Sequence, residues 1–113
     1  MRDLKKEVFK VIFLDKKNAV IEVEDLFEGT VDKSAIYPRE IVKKAIEHNA
    51  SGIIIVHNHP SGNIQPSPED EKITQQLLKA TNMLQIRMLD HIIIGDNKYY
   101  SFADTGEIEI WNE

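Results

Sequence analysis

The sequence contains no cysteine among its 113 residues. Disulfide bonds and thiolate ligands for a metal ion are therefore both excluded. Any metal site must use nitrogen and oxygen ligands, which means histidine and carboxylate side chains. A chain without cysteine also suits a reducing compartment, and we expect a cytoplasmic protein.

Long apolar segments are missing as well. The run Ile53–Val56 is typical of the longest ones, and a helix that spans a bilayer needs roughly 20 apolar residues. The charged N-terminal segment lacks the apolar centre of a signal peptide. We therefore expect no association with a membrane.

Basic residues are outnumbered: 14 lysines and arginines stand against 19 aspartates and glutamates, and the net charge is −5. Electrostatic binding to nucleic acid requires basic side chains that neutralise phosphates. Lysines do crowd the N-terminal region, but we interpret them as a solvated face and turn. Direct nucleic-acid binding is not expected.

The apolar pattern predicts a mixed α/β (α+β) fold with one β-sheet and two main helices. Helical spacing and Pro38 predict a helix that Asn49 ends, and Ser67 caps a second helix that runs to about Asn82. Strand-like runs cover 7–14, 19–27, 52–59, 86–94 and 99–102. The apolar run in 52–59 predicts a central strand. We expect a short extended piece up to Ile36, an extension or loose tail at 108–111, and one domain over 1–113.

The residues with the clearest chemistry follow the predicted central strand. His57 and His59 are two positions apart, so their imidazoles point to the same face, while Asn58 points away. Asp70, in the first turn of the next predicted helix, is the natural third ligand. Two imidazoles and one carboxylate are a typical ligand set for catalytic zinc.

The spacing His57-x-His59-x7-Ser67-x2-Asp70 resembles the signature of the JAMM (MPN+) metallopeptidases. The segment His57-Asn58-His59-Pro60-Ser61-Gly62 resembles the sequence of the RadC branch of that family. Similar matches occur at 37–40, 89–95 and 101–102, and the resemblance covers about residues 6–106. It implies the curved mixed sheet of JAMM/MPN domains, a cytidine-deaminase-like architecture, and one zinc ion held by His57, His59 and Asp70.

The resemblance also implies a catalytic glutamate near the start of the domain. Glu7 occupies the matching position, although Glu22, Glu24 and Glu28 remain alternatives from sequence alone. Glu7 would act as general base and then as general acid. Ser67 would donate a hydrogen bond to the oxyanion; a helix cap is the alternative role, and a nucleophile is the less favoured one.

Other polar residues have weaker interpretations. His91 is expected to be a hydrogen-bonded core histidine rather than a fourth ligand, and Asp90 could orient an imidazole. Asn58, Ser61 and Asn63 are candidates for shaping a substrate groove.

The implied function is a zinc-dependent metallopeptidase or isopeptidase that acts on a peptide or protein. Two alternatives remain: an interaction module that keeps the zinc without cleaving, and a DNA-repair-associated factor. The net charge of −5 gives the last little support, and the helix-hairpin-helix segment that often precedes this domain is not found in the sequence. The substrate and the oligomeric state are not predicted.

Overall fold

The computed structural model describes residues 6–29 and 36–111 of the chain. The strands are β1 (Glu7–Leu14), β2 (Val20–Gly29), β3 (Gly52–Asn58), β4 (Arg87–Gly95) and β5 (Lys98–Ser101). The helices are α1 (Pro38–Glu47), α2 (Pro68–Met83) and α3 (Glu107–Trp111). The predicted mixed α/β class is confirmed. Among these helices, none is long and apolar enough to cross a bilayer.

The five strands form one sheet in the order β2-β1-β3-β4-β5. β3 is central, as its apolar sequence predicts, and it pairs antiparallel with β1 and parallel with β4. The remaining neighbours, β1–β2 and β4–β5, are antiparallel. The chain from β3 to β4 passes through α2, which is the connection that a parallel pair requires.

One face of the sheet carries the core. Val11 and Phe13 of β1, with Ile53 and Ile55 of β3, are fully buried. The core cluster that contains them also includes Ile41 and Ala45 of α1, Ile73, Leu77 and Leu78 of α2, and Ile93 and Phe102. Alternation along each strand places these side chains on one face, so the same alternation decides which polar residues enter the core.

Asparagines end several elements where the backbone turns. Asn18 joins β1 to β2 with a φ of 63°, and Asn49 follows α1 with a φ of 55°. Asparagine tolerates this left-handed region better than most residues. Pro38 begins α1 and Pro68 begins α2, where a missing N–H group leaves no hydrogen bond unmade.

The expectation for 108–111 was wrong, because Glu107–Trp111 forms the short helix α3. Ile108 is buried and the Trp111 ring lies 5.8 Å from the Phe102 ring, centroid to centroid. A single helical turn is too short to be stable without such packing, and its sequence carries no readable period. The extended piece expected before Ile36 falls largely on 30–35, outside the described residues.

Candidate metal centre

The end of β3 brings two imidazoles together. His57 is fully buried, and its Nε2 atom lies 3.0 Å from Nε2 of His59. The strand ends at Asn58, one residue before the predicted limit, but the His59 N–H group still donates to the Ile94 carbonyl at 2.9 Å. This backbone bond to β4 keeps His59 in line with the strand, so the two rings share one face.

Asp70 approaches the same point from the first turn of α2. Its Oδ1 atom lies 3.3 Å from Nε2 of His57, and its Oδ2 atom lies 3.1 Å from Nε2 of His59. The carboxylate is almost completely buried. Two ligands on a tetrahedral zinc ion, with bonds of about 2.0–2.1 Å, lie roughly 3.3 Å apart. The separations among these donor atoms therefore fit a zinc-sized ion.

A capping box fixes Asp70 in this position. The Ser67 Oγ atom accepts a hydrogen bond from the Asp70 N–H at 3.0 Å, and the Ser67 N–H donates to Asp70 Oδ2 at 2.9 Å. The reciprocal pair satisfies two N–H groups at the start of α2. Since Ser67 Oγ accepts in this cap, its own proton is left for another acceptor. The cap role and the oxyanion role of Ser67 are therefore compatible.

The loop between His59 and Ser67 is packed against the end of β4. A Cβ atom on Gly95 would lie 2.4 Å from the Gly62 carbonyl oxygen and 2.6 Å from Cγ2 of Ile64. Gly62 itself has a φ of 85°, which favours glycine. The loop returns the Asn63 carbonyl to His59, whose Nδ1 lies 2.7 Å away. Because a carbonyl only accepts, His59 Nδ1 carries the proton and Nε2 carries the lone pair.

Glu7, the first residue of β1, completes the group. Its Oε1 atom lies 3.9 Å from His57 Nε2. One ligand atom from each of Glu7, His57 and His59 lies within 4.8 Å of the others, an arrangement that could hold a metal ion. Of the alternative acids, Glu24 is bonded to His48 at 2.7 Å, and Glu22 is exposed. The side chain of Glu28 lies outside the described residues.

Asn58 has a different role from the one expected. It is 1% exposed and therefore lines no open groove. Its Oδ1 atom accepts from the Val8 N–H at 2.7 Å, and its Nδ2 group donates to the Lys6 carbonyl at 2.9 Å. These are the backbone groups on either side of Glu7. The Asn58 side chain thus bonds to the backbone of β1 beyond the last β1–β3 residue pair, and it fixes the backbone that carries Glu7.

The contacts of His91 and Asp90 can be compared with the roles predicted for them. His91 is fully buried, and both of its ring nitrogens have partners, His57 Nδ1 at 2.9 Å and Thr74 Oγ1 at 2.6 Å. It is a core histidine, as expected, but it contacts the site through His57. The Asp90 carboxylate instead accepts from the N–H groups of His91 and Ala103 and from the Ser101 hydroxyl. The expectation that Asp90 orients an imidazole is therefore not met by these contacts.

Thr74 was not identified from the sequence, although a signal was present. It lies four residues after Asp70, so both face the same side of α2. The link of His91 to the site depends on strand pairing instead, since His91 lies two residues from Ile93, the partner of His57 in the β3–β4 register. The parallel pairing that aligns β4 with β3 is a tertiary fact that sequence periodicity does not supply.

Comparison with known proteins shows the family of the chain. A family model described as a RadC-like JAB domain matches residues 1–107. A UPF0758 protein of Vibrio campbellii is 49% identical over 108 residues, and those of Vibrio cholerae and Alcanivorax borkumensis are 48% and 47% identical. Each comparison covers 96% of this chain and 48% of the relative. The chain thus spans about half the length of the curated relatives it matches, and it belongs to the RadC-like JAB domain family.

Proposed function

We propose that this chain is a zinc-dependent metallopeptidase or isopeptidase that hydrolyses an amide bond in a peptide or protein. The proposal rests on one observation: three side chains that can donate electron pairs to a metal lie together, and a fourth, acidic side chain lies beside them. His57, His59 and Asp70 place donor atoms 3.0–3.3 Å from one another, and Glu7 Oε1 lies 3.9 Å from His57 Nε2.

The donor set suits a transition metal such as zinc rather than magnesium or calcium, and the family resemblance favours zinc. Imidazole nitrogen suits zinc, whereas magnesium and calcium prefer all-oxygen sites. Three protein ligands leave a fourth position open, which distinguishes catalytic from structural zinc sites. A zinc ion bound here supplies a Lewis acid that polarises a carbonyl and lowers the pKa of coordinated water. The surrounding residues must then transfer the proton of the water and stabilise the negative charge that develops on the carbonyl oxygen.

Glu7 is suited to accept a proton rather than to bind the metal. Its Oε1 atom is farther from His57 Nε2, at 3.9 Å, than the nearest Asp70 oxygen, at 3.3 Å. The side chain is 18% exposed, whereas Asp70 is 1% exposed. The Oε1 atom itself is buried, but the partial exposure of the side chain lets an attacking water approach the carboxylate. Glu7 would take the proton of that water and later pass it to the leaving amine. Such general acid–base transfer contributes about 10²–10⁴-fold to a rate.

Ser67 can supply the hydrogen bond that an oxyanion needs. Its Oγ lone pair is used in the α2 cap and its proton is not. The cap also holds the serine beside Asp70, so the donor is positioned before the substrate arrives. Removing one such donor in comparable sites lowers the rate by about 10²–10³-fold.

An open cleft lies between the starts of α1 and α2, and we take it as the candidate place for a peptide to bind. The cleft has a volume of about 440 Å³, and its lining includes Tyr37 and Pro38 from the start of α1 and Glu69, Lys72 and Ile73 from the first turns of α2. Glu69 directly precedes Asp70 in the chain. The lining mixes apolar and charged groups, which favours an extended polypeptide over a wholly apolar ligand.

Replacement of Glu7 by Gln separates a peptidase from a zinc-binding interaction module. We expect E7Q to bind one zinc ion with unchanged affinity and to lose about 10²–10⁴-fold in turnover. Glu22→Gln is the matched control, because Glu22 is exposed and pairs with Phe13, at the opposite end of β1 from Glu7. Turnover is measured with a quenched-fluorescent peptide library and with an isopeptide-linked lysine substrate, and metal content by elemental analysis.

Two results would overturn the proposal. Equal cleavage by the parent and E7Q removes Glu7 from the chemistry, and zinc binding without cleavage by either assigns the chain to the interaction-module class. The ligand set has its own test. If zinc remains bound after His57, His59 and Asp70 are each replaced by Ala, the site is not where we place it.

A further inference from the structure

A line of buried hydrogen bonds leads away from His57 into the core. His57 Nδ1 lies 2.9 Å from His91 Nε2, and His91 Nδ1 lies 2.6 Å from Thr74 Oγ1. Thr74 Oγ1 in turn lies 2.7 Å from the backbone carbonyl oxygen of Asp70. His57, His91 and Thr74 are all fully buried. The line therefore starts at one proposed ligand and ends on the backbone of another.

The direction of each hydrogen bond follows from its last member. A carbonyl oxygen can only accept, so the single hydroxyl proton of Thr74 points to Asp70. Thr74 Oγ1 must then accept from His91 Nδ1–H. In a neutral imidazole the other nitrogen carries a lone pair, so His91 Nε2 accepts from His57 Nδ1–H. His57 Nε2 is left with its lone pair directed toward the proposed metal position, between His59 and Asp70.

Two aromatic rings hold the His91 imidazole in the orientation that these hydrogen bonds require. The Phe102 ring stacks on it at 4.8 Å between centroids with an interplanar angle of 7°, and the Phe9 ring approaches its edge at 6.3 Å. The aromatic packing keeps the ring from rotating out of line.

We propose that Thr74 and His91 are positioning residues that fix the tautomer of His57 and thereby set the affinity of the site for zinc. This inference rests on the proposed metal site, but the tautomer itself is a property of the metal-free protein. His59 serves as an internal reference, since the Asn63 backbone carbonyl fixes its tautomer and no side-chain substitution removes that carbonyl. Only His57 should depend on side chains behind it.

The decisive comparison is Thr74→Val against Thr81→Val. Thr81 lies on the same helix, is equally buried, and donates to the Leu77 carbonyl four residues earlier, just as Thr74 donates to Asp70. Both variants lose one buried hydroxyl, but only T74V removes the acceptor of His91. We expect zinc affinity, measured by competition with a chelator, to fall about 10–100-fold in T74V and to stay within about threefold in T81V.

The tautomer is read directly by ¹⁵N NMR of the histidine rings in metal-free protein. We expect His57 to be protonated at Nδ1 in the parent and in T81V, and to shift toward the Nε2–H form in T74V, while His59 is unchanged throughout. Thr74→Ser should restore both the tautomer and the affinity. His91→Gln, which offers one acceptor and one donor about as far apart as the ring nitrogens, should preserve more affinity than His91→Phe.

The inference fails if T74V keeps the Nδ1–H form of His57 and binds zinc as tightly as T81V. It also fails if T74V and T81V weaken zinc binding equally, because a general loss of packing would then explain both. A parent protein that binds no zinc would overturn the proposed function instead. In that case the NMR comparison still decides whether Thr74 and His91 set the tautomer.

Discussion

At the scale of single residues, the two ends of the site are held by different means. Asp70 and Ser67 fix each other within one helical turn. The backbone on either side of Glu7 is held instead from the neighbouring strand by the carboxamide of Asn58. The position of the acid thus depends on a side chain 51 residues away.

Replacement of Asn58 by Ala tests this dependence. The variant removes both hydrogen bonds and leaves the buried N–H of Val8 without its acceptor, so we expect unfolding to become easier by about 1–3 kcal/mol. Turnover should fall by about tenfold to a hundredfold because Glu7 is displaced, while zinc affinity stays the same. Chemical denaturation, peptide cleavage and chelator competition measure the three effects.

Asn82→Ala is the control for Asn58→Ala, since Asn82 is an exposed asparagine near the end of α2. A loss of zinc affinity in N58A matching its loss of turnover would contradict the assignment. Asn58 would then support the ligands rather than the acid.

Sequence alone predicts the proposed ligands at this scale but not the side chains that support them. The spacing of His57, His59 and Asp70 is local, within 14 residues. Strand alternation places the two histidines on one face, and the start of the next helix supplies Asp70. Asn58, Thr74 and His91 act across elements that only folding brings together. Their partners depend on the register of β1 and β4 against β3, which no local pattern contains.

At the scale of elements, β2 and α1 are joined by a polar contact away from the site. Glu24 of β2 lies 2.7 Å from Nε2 of His48, at the end of α1, and 3.4 Å from Nζ of Lys44. The hydrogen bond from His48, followed by the contact with Lys44, holds the pKa of the Glu24 carboxyl below its ordinary value of 4.5. The contact therefore favours the charged carboxylate in the folded protein.

The sign of this shift predicts how stability depends on pH. A carboxyl group with a lowered pKa in the folded state stabilises it above the unfolded value, and this stabilisation disappears as the pH falls through the folded pKa. Glu24→Gln should destabilise the protein by less than about 1 kcal/mol at pH 7, since the contact is partly exposed. The difference from the parent should vanish in strong acid. Denaturation at pH 7 and at pH 3 measures both values.

Glu22→Gln, on the same strand but exposed, provides the comparison for Glu24→Gln. A difference between E24Q and the parent that grows toward acid pH would show that the contact does not favour the carboxylate.

Elements with a strong internal pattern were predicted well, and the exception is informative. β1, α1, β3, α2 and β4 all lie within about two residues of their expected limits. α3 was missed because a five-residue helix depends on packing rather than on its own sequence. Ile108 and Trp111 lie three residues apart and face the core together, but the same spacing occurs in many loops.

At the scale of the whole molecule, the proposed metal site would link metal binding to folding. The proposed ligands belong to β3, the following loop and α2, and the fully buried His57 ring stacks on Phe9, a member of the core cluster that also includes residues of α1. A ligand that binds only the folded state stabilises it by mass action. The site is therefore also a point through which the stability of the fold can be changed.

Zinc should raise the free energy of unfolding by about 4 kcal/mol when its free concentration is 1,000 times the dissociation constant. Addition of a chelator should reverse the increase. His59→Ala should abolish it, whereas His48→Ala, whose imidazole lies against Phe13 and Glu24, should lower the baseline stability and keep the increment. Thermal and chemical unfolding with and without zinc measure these changes, and an equal increment in H59A would contradict the ligand assignment.

The place where Glu7 enters the site also has a dynamic consequence. It is the first residue of β1, and strand ends open locally at a lower free energy than the centre of a ladder. Such an opening withdraws the acid while His57, His59 and Asp70, on other elements, keep their arrangement. In the proposed mechanism, this opened state would still bind metal but would accept no proton. Amide hydrogen exchange at Val8, relative to Val11, would report how often that state occurs.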